Sequence, residues 1–216
     1  MSGQHRSKYF TVYRIVFIGL MAAIVFVVSM FRFPFLGSKI HFGNTMCLLS
    51  GLLFGPISGG LSAGIGSTLV DVTSGYPFWE AIITFVSKFA MGAVAGLIGC
   101  LLRKKASTRA VRIVFAVIGG IAGAVSYVFL YMLKHFVLQL FVYGSSWEAT
   151  MTVLASKFPA SAINAGFAIV CAPLLFLALY PALIRLPFFA EERNALQPGA
   201  DAPDEQAESE DSPEDS

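Results

Sequence analysis

The chain alternates between long apolar stretches and short clusters of charge, glycine or proline, and the lengths of the apolar stretches predict its elements. Crossing the hydrocarbon of a bilayer as a helix takes about 20 apolar residues. Residues 15–31, between Arg14 and Arg32, meet that requirement and predict a first span. The segment RFPFLGSK that follows, with Pro34 and Gly37, reads as a loop. From Ile40 to Val70 there is no Asp, Glu, Lys or Arg, a run too long for one crossing. Gly55-Pro56 divides it, which predicts a tight hairpin of two short helices over 40–54 and 57–72. TSGYPF marks another turn, followed by helices over 79–102, 111–133 with an apolar continuation to Phe141, and 152–184. The last is long enough to require tilt or a break, and Pro159, Pro173 and Pro181 offer places for one.

The pattern therefore predicts an all-α, polytopic membrane protein built as a six-helix bundle, with the second and third helices short. Composition agrees: 56% of the residues are hydrophobic and 13% charged, against about a quarter charged in an ordinary soluble domain. An even number of spans puts both termini on one side of the membrane. Ten basic residues fall on that side (Arg6, Lys8, Arg14, Arg103, Lys104, Lys105, Arg109, Arg112, Arg185 and Arg193), against Arg32, Lys39, Lys134 and Lys157 on the other. Basic residues concentrate on the cytoplasmic face, so cytoplasmic termini and a place in the plasma membrane are expected.

The net charge of +2 conceals an asymmetry, because 10 of the 13 acidic residues follow position 190. Residues 1–190 thus form the membrane domain, and 191–216, rich in Asp, Glu, Ser, Pro and Ala, are expected to be a disordered acidic cytoplasmic tail. The basic residues of the membrane domain flank apolar runs. That position suits topology signals and contacts with the head groups of the lipid bilayer rather than nucleic acid.

Cys47, Cys100 and Cys171 all lie in apolar runs without paired spacing, which argues against a metal site or a disulfide framework. No convincing cleavage site precedes Arg32, so the first apolar run is expected to be retained rather than removed as a secretion signal. There is no G-x-S-x-G, H-E-x-x-H or G-x-x-x-x-G-K-[ST], so neither an enzyme nor a cofactor is indicated, and energy for transport would have to come from a partner or an ion gradient.

A polar or ionised side chain within a span is costly unless it faces a cavity or a partner, which makes each one a candidate site residue. His41 and Asn44 in the second predicted helix, Asp71, Glu80, Lys88, Lys134, His135, Lys157 and Asn164 qualify. Lys88, between ITFVS and FAMGAVAGLIG, is the most informative, since its ammonium requires Asp71, Glu80 or an anionic ligand group. A purely structural pair with Asp71, or a side chain reaching the interface, would also accommodate it. Asn44 and Asn164 suit either a ligand or helix-to-helix hydrogen bonds. Phe33, Phe35, Tyr76, Phe78, Trp79, Tyr143 and Trp147 gather at the outer end, as an interfacial belt or as a lid over a flat ring. Gly19 and Ala23, Gly60 and Gly64, and Gly92 and Gly96 clear stripes for close helix approach within the bundle or against another subunit.

The order of features in residues 40–99 (a polar residue after Gly43, LLFGP, a glycine-rich helix ending at Asp71, SGYP, and a lysine within FVSKFAMG) resembles the substrate-binding S component of energy-coupling factor (ECF) transporters, riboflavin-type branch. FPASAINAGFAIVCAPLLFLALYPAL, residues 158–183, is similar to that family's final helix. The resemblance implies a six-helix bundle that binds a vitamin or vitamin precursor near its outer face, under the loops joining helices one to two, three to four and five to six. It implies docking, through small residues of the first helix, onto a transmembrane coupling (T) subunit driven by two cytoplasmic ATPase subunits. Gly19 and Ala23 match the docking positions, where the family more usually has two alanines. By position, Asn44, Asp71, Lys88 and Asn164 match pocket-lining places, and Tyr76 and Trp79 fall in the matching lid loop. Flavin, thiamine-pyrimidine and pyridoxine-like substrates all fit that branch. The competing readings are an ion-coupled secondary transporter for a small polar metabolite and a ligand-free membrane assembly subunit.

Overall fold

The computed structural model of the protein describes residues 3–35, 38–103, 109–183 and 185, so the acidic segment 191–216 lies outside the described residues. The elements run α1 (Gly3–Met30), β1 (Arg32–Phe35), β2 (Ser38–His41), α2 (Gly43–Thr73), α3 (Phe78–Arg103), α4 (Arg109–Val137) and α5 (Trp147–Leu183), with a π-helical turn, Leu138–Val142, after α4. Among the described residues, five helices are long and apolar enough to cross a membrane.

The two short helices expected over 40–54 and 57–72 are the two arms of α2, helical on either side of a sharp reversal at Gly55. Its φ of 78° and ψ of −174° suit a residue without a Cβ, and Pro56 then opens the second arm, where a missing N–H leaves nothing unsatisfied. In a straight helix, residues 47 and 67 would stand about 30 Å apart. Here Cys47 Sγ lies 3.6 Å from Ser67 Oγ, and Ser50 Oγ donates to the Gly59 carbonyl at 2.9 Å, so the arms run side by side in opposite directions.

The segment expected as a plain loop is instead an antiparallel ribbon, with Arg32 opposite His41, Phe33 opposite Ile40 and Pro34 opposite Lys39. His41 consequently belongs to β2 and not to the second helix, which starts at Gly43. Strand pairing satisfies backbone groups that an irregular connection at the edge of a membrane would leave open, and proline is tolerated in such a ribbon because it lies at an edge. Gly75 and Gly144, both at positive φ, turn the chain between α2 and α3 and between the π-helical turn and α5. Pro159, Pro173 and Pro181 do not interrupt α5.

Burial runs opposite to that of a soluble protein. The interior holds Ser50, Ser58, Ser62, Lys88, Thr150 and Asn164 beside Leu48, Leu52, Met91 and Phe176, whereas Ile15, Ile57, Val86, Val125, Phe129 and Val170 face outward. Outward apolar side chains around a polar-containing core are what hydrocarbon as solvent selects. The protein is thus an all-α integral membrane protein with a small β-ribbon. The α2 hairpin is its centre: 72% of its span is buried, against 22–39% for the other four.

Glycines let α2 reach that position. A Cβ on Gly59 would run into the Ser50 carbonyl and the Gly51 backbone, and one on Gly96 would meet Gly55, the Gly51 carbonyl and Pro56. The two arms and α3 therefore approach backbone to backbone. Replacing Gly59 by Ala should lower stability by about 1–3 kcal/mol through overpacking. Gly166→Ala, where an added Cβ meets nothing within 4 Å, should be neutral or stabilising by up to about 1 kcal/mol. Thermal unfolding of the detergent-purified protein, followed by exposure of buried Cys47 to a thiol dye, measures both; equal effects would contradict the packing described.

Candidate functional site

A cavity of about 350 Å³ lies at the end of the bundle where α1 and α4 finish, α3 and α5 begin, and the β-ribbon crosses. Each helix contributes one face at helical spacing. Ser67, Val70 and Asp71 come from α2, Glu80, Thr84, Ser87 and Lys88 from α3, Tyr127, Tyr131, Lys134 and His135 from α4, and Lys157, Ser161 and Asn164 from α5. Ser29, Arg32, Lys39, His41 and Tyr76 complete the lining from α1, the ribbon and the α2–α3 turn.

Lys88 lies at the inner wall, 6% exposed. Its ammonium donates to Asn44 Oδ1 and stands 3.8 Å from the centre of the Tyr127 ring. A cation over an aromatic face, with one amide acceptor, is held but not neutralised. Of the two carboxylates offered as partners from the sequence, Glu80 is 2.8 Å from Lys134 and forms an ion pair with it. Among the described residues, Lys88 pairs with no carboxylate, Asp71 included.

Asn164 acts on the backbone of the ribbon. Its Oδ1 accepts from the His41 N–H at 2.9 Å and its Nδ2 donates to the Lys39 carbonyl at 2.9 Å, so one amide side chain holds β2 against α5 as a neighbouring strand would. Two further bonds tie the ribbon to the α2–α3 turn: Arg32 to Ser74 Oγ at 2.5 Å, and Lys39 Nζ to Tyr76 Oη at 2.9 Å. His41 Nδ1 accepts from the Gly43 N–H at 3.1 Å, which requires the proton on Nε2. Burial, reinforced by the nearby cations Lys88, Arg32 and Lys39, holds its pKa far below the ordinary 6.5, at about 3.

Of the six residues singled out as substrate-binding from the sequence, Asp71, Tyr76, Lys88 and Asn164 line the cavity. Asn44 sits directly behind Lys88, fully buried. Trp79 is 40% exposed and lies outside the lining, as do Phe78 and Trp147, so Tyr76 alone of the outer aromatic residues reaches the cavity. Arg32, Tyr127, Tyr131, Ser87 and Ser161 were not singled out. A helical signal for some of them was present: Glu80, Thr84, Ser87 and Lys88 are spaced i, i+4, i+7, i+8, as are Tyr127, Tyr131, Lys134 and His135.

Asn164→Ala leaves the His41 N–H and the Lys39 carbonyl without their partner, and should lower stability by about 1–3 kcal/mol; hydrogen exchange localised to 32–41 would report it, and unchanged protection there would contradict the clamp. His41 adds a pH dependence. The unfolded state takes up a proton near pH 6.5 and the folded state only near 3, so the folded state loses stability as pH falls through that window, by up to about 1.4 kcal/mol per unit. Unfolding midpoints between pH 7.5 and 4.5 should show a decline that His41→Gln flattens; parallel curves would contradict the burial of a neutral imidazole.

Comparison with known proteins adds the family. The chain is 37% identical over 109 residues, 49% of its own length and 69% of the relative's, to an uncharacterized protein in the gap 3′ region of Pyrococcus woesei. A solved structure described as the S component of a bacterial ECF transporter superposes with a TM-score of 0.56 at 23% identity, covering 81% of this chain and 99% of that one, which establishes a shared fold. Residues 9–181 match the family described as ECF-type riboflavin transporter, S component. With five membrane-length helices closing a polar cavity beneath a β-ribbon, and a family match running through nearly all of them, this chain belongs to the ECF-type riboflavin transporter S-component family.

Proposed function

We propose that the protein is the substrate-binding subunit of an ECF-type uptake system, taking a small water-soluble vitamin or precursor from outside the cell into the cavity and delivering it with a transmembrane coupling subunit and two cytoplasmic ATPases. The observation that carries this reading is the cavity itself. About 350 Å³ of space lined by ionised and hydroxyl groups lies within the range of small-molecule sites. Hydrocarbon would not tolerate such a lining on a simple packing subunit.

On this reading the two arms of α2 are separate crossings, giving six, with both termini in the cytoplasm and the ribbon outside. Basic-residue placement supports that orientation. Gly19 and Ala23 lie exposed on one face of α1, the least buried of the five helices, and an added Cβ on Gly19 would meet nothing within the chain. That free, small-residue surface supports docking of α1 onto the coupling subunit. Asn44, Asp71, Tyr76, Lys88 and Asn164 are assigned to the substrate site, Asn44 and Asn164 as positioning residues; Trp79 is assigned to the rim.

Detergent-purified chain should bind one small metabolite, visible by native mass spectrometry, yet liposomes containing it alone should not accumulate that metabolite. Gly19→Leu should leave binding within about twofold while lowering retention of the coupling subunit by at least about tenfold, as expected when bulk enters a close helix interface. Uptake by the chain alone, driven by a proton or sodium gradient, would instead establish a secondary carrier. Absence of any bound metabolite would favour the assembly role.

A further inference from the structure

The charges of the lining do not balance. Arg32, Lys39, Lys88, Lys134 and Lys157 face two carboxylates, Asp71 and Glu80, a surplus of three positive charges among the Lys, Arg, Asp and Glu side chains. Glu80 is already bound to Lys134. Lys88 has one amide acceptor and an aromatic face, and Lys157, half-buried, has no hydrogen-bonding or ionic partner among the described residues.

Buried cations of this kind require a counter-charge, and among the described residues no carboxylate stands in ion-pair contact with Lys88. The ammonium carries three donors, of which Asn44 takes one. In the same lining, the Ser161 hydroxyl is buried without a hydrogen-bond partner among the described residues. A planar neutral heterocycle would answer the aromatic rings Tyr127 and Tyr131, and its ring acceptors could take these donors, but it would leave the positive charge uncompensated.

Resting on the reading of the cavity as a substrate site, we infer that the substrate is an oxyanion: a small metabolite whose carboxylate or phosphate is bound by Lys88 and Ser161, with Lys157 and the ribbon cations Arg32 and Lys39 around it. Among the described residues of the lining, Asp71 is the carboxylate without a side-chain ion pair, which suits an N–H or O–H group elsewhere on the same molecule.

The test uses the full-length chain in detergent and matched neutral and anionic probes: riboflavin and riboflavin 5′-phosphate, pyridoxal and pyridoxal 5′-phosphate, nicotinamide and nicotinate, with native mass spectrometry of the chain purified from its own membranes. The anionic member of at least one pair, or an anionic co-purifying metabolite, should bind at least about tenfold tighter than its neutral counterpart. Lys88→Gln should weaken that anion by at least about 30-fold, the loss expected for one partner of a buried charge pair, and the neutral probe by a clearly smaller factor. Lys157→Gln, at a half-buried position, should weaken it by about threefold to tenfold and decides the matter if Lys88→Gln fails to fold. Phosphate pairs against the carboxylate pair identify which oxyanion is read. Tighter binding of neutral members, or equal losses for both, overturns the inference and leaves the transporter reading intact. No bound molecule of either kind overturns both.

Discussion

In hydrocarbon, a polar group has only the rest of the protein to bond with, and that constraint arranges this molecule. Helices satisfy the backbone, a paired ribbon satisfies the one non-helical connection of any length among the described residues, and hydroxyls of α2 bond to nearby carbonyls, as Ser50 does to Gly59 and Ser62 to Ser58. What stays unbalanced after this is concentrated at one end, in the cavity lining. The cationic surplus there is therefore not incidental to the fold, since among the described residues the buried side-chain atoms left without a hydrogen-bond partner are few: Asn44 Nδ2, Thr45 Oγ1 and the Ser161 hydroxyl.

Packing and site depend on each other through the α2 hairpin. Its reversal at Gly55 brings Asn44, near the start of one arm, and Ser67 and Asp71, near the end of the other, to the same end of the bundle. Glycines along the arms let α3 come close enough for Lys88 to reach Asn44 across 44 positions of sequence. Bulk at those glycines would displace α3 and the ammonium it carries. Stability of the core and geometry of the site thus rest on the same absent side chains.

The ribbon ties the outer connections to this frame. Asn164 holds β2 from α5, while Arg32 and Lys39 reach to Ser74 and Tyr76 in the α2–α3 turn. The two turn contacts are made by cations that also line the cavity, so the cover and the charge distribution are one structure. Asn164, read from sequence as either ligand-binding or helix-bonding, lines the cavity and bonds the strand backbone with its amide.

Much was legible in the residue order because hydrophobic length and polar exceptions are local properties. Apolar runs bounded by arginine and lysine marked the spans, Gly55-Pro56 marked the reversal, and Lys88, Asp71 and Asn164 stood out as polar groups in greasy surroundings. The pairing of 32–35 with 38–41 was not legible, because a short ribbon carries no strong alternation and Pro34 and Gly37 read as loop punctuation. Nor could sequence say that Glu80 goes to Lys134 and leaves Lys88 without a carboxylate, or that Trp79 points away while Tyr127 and Tyr131 turn in. The amino-acid order by itself determined that the chain lives in a membrane and which polar residues need an explanation. Only the tertiary structure decided which of them meet, because partner choice among charges far apart in sequence depends on distances that helix packing sets.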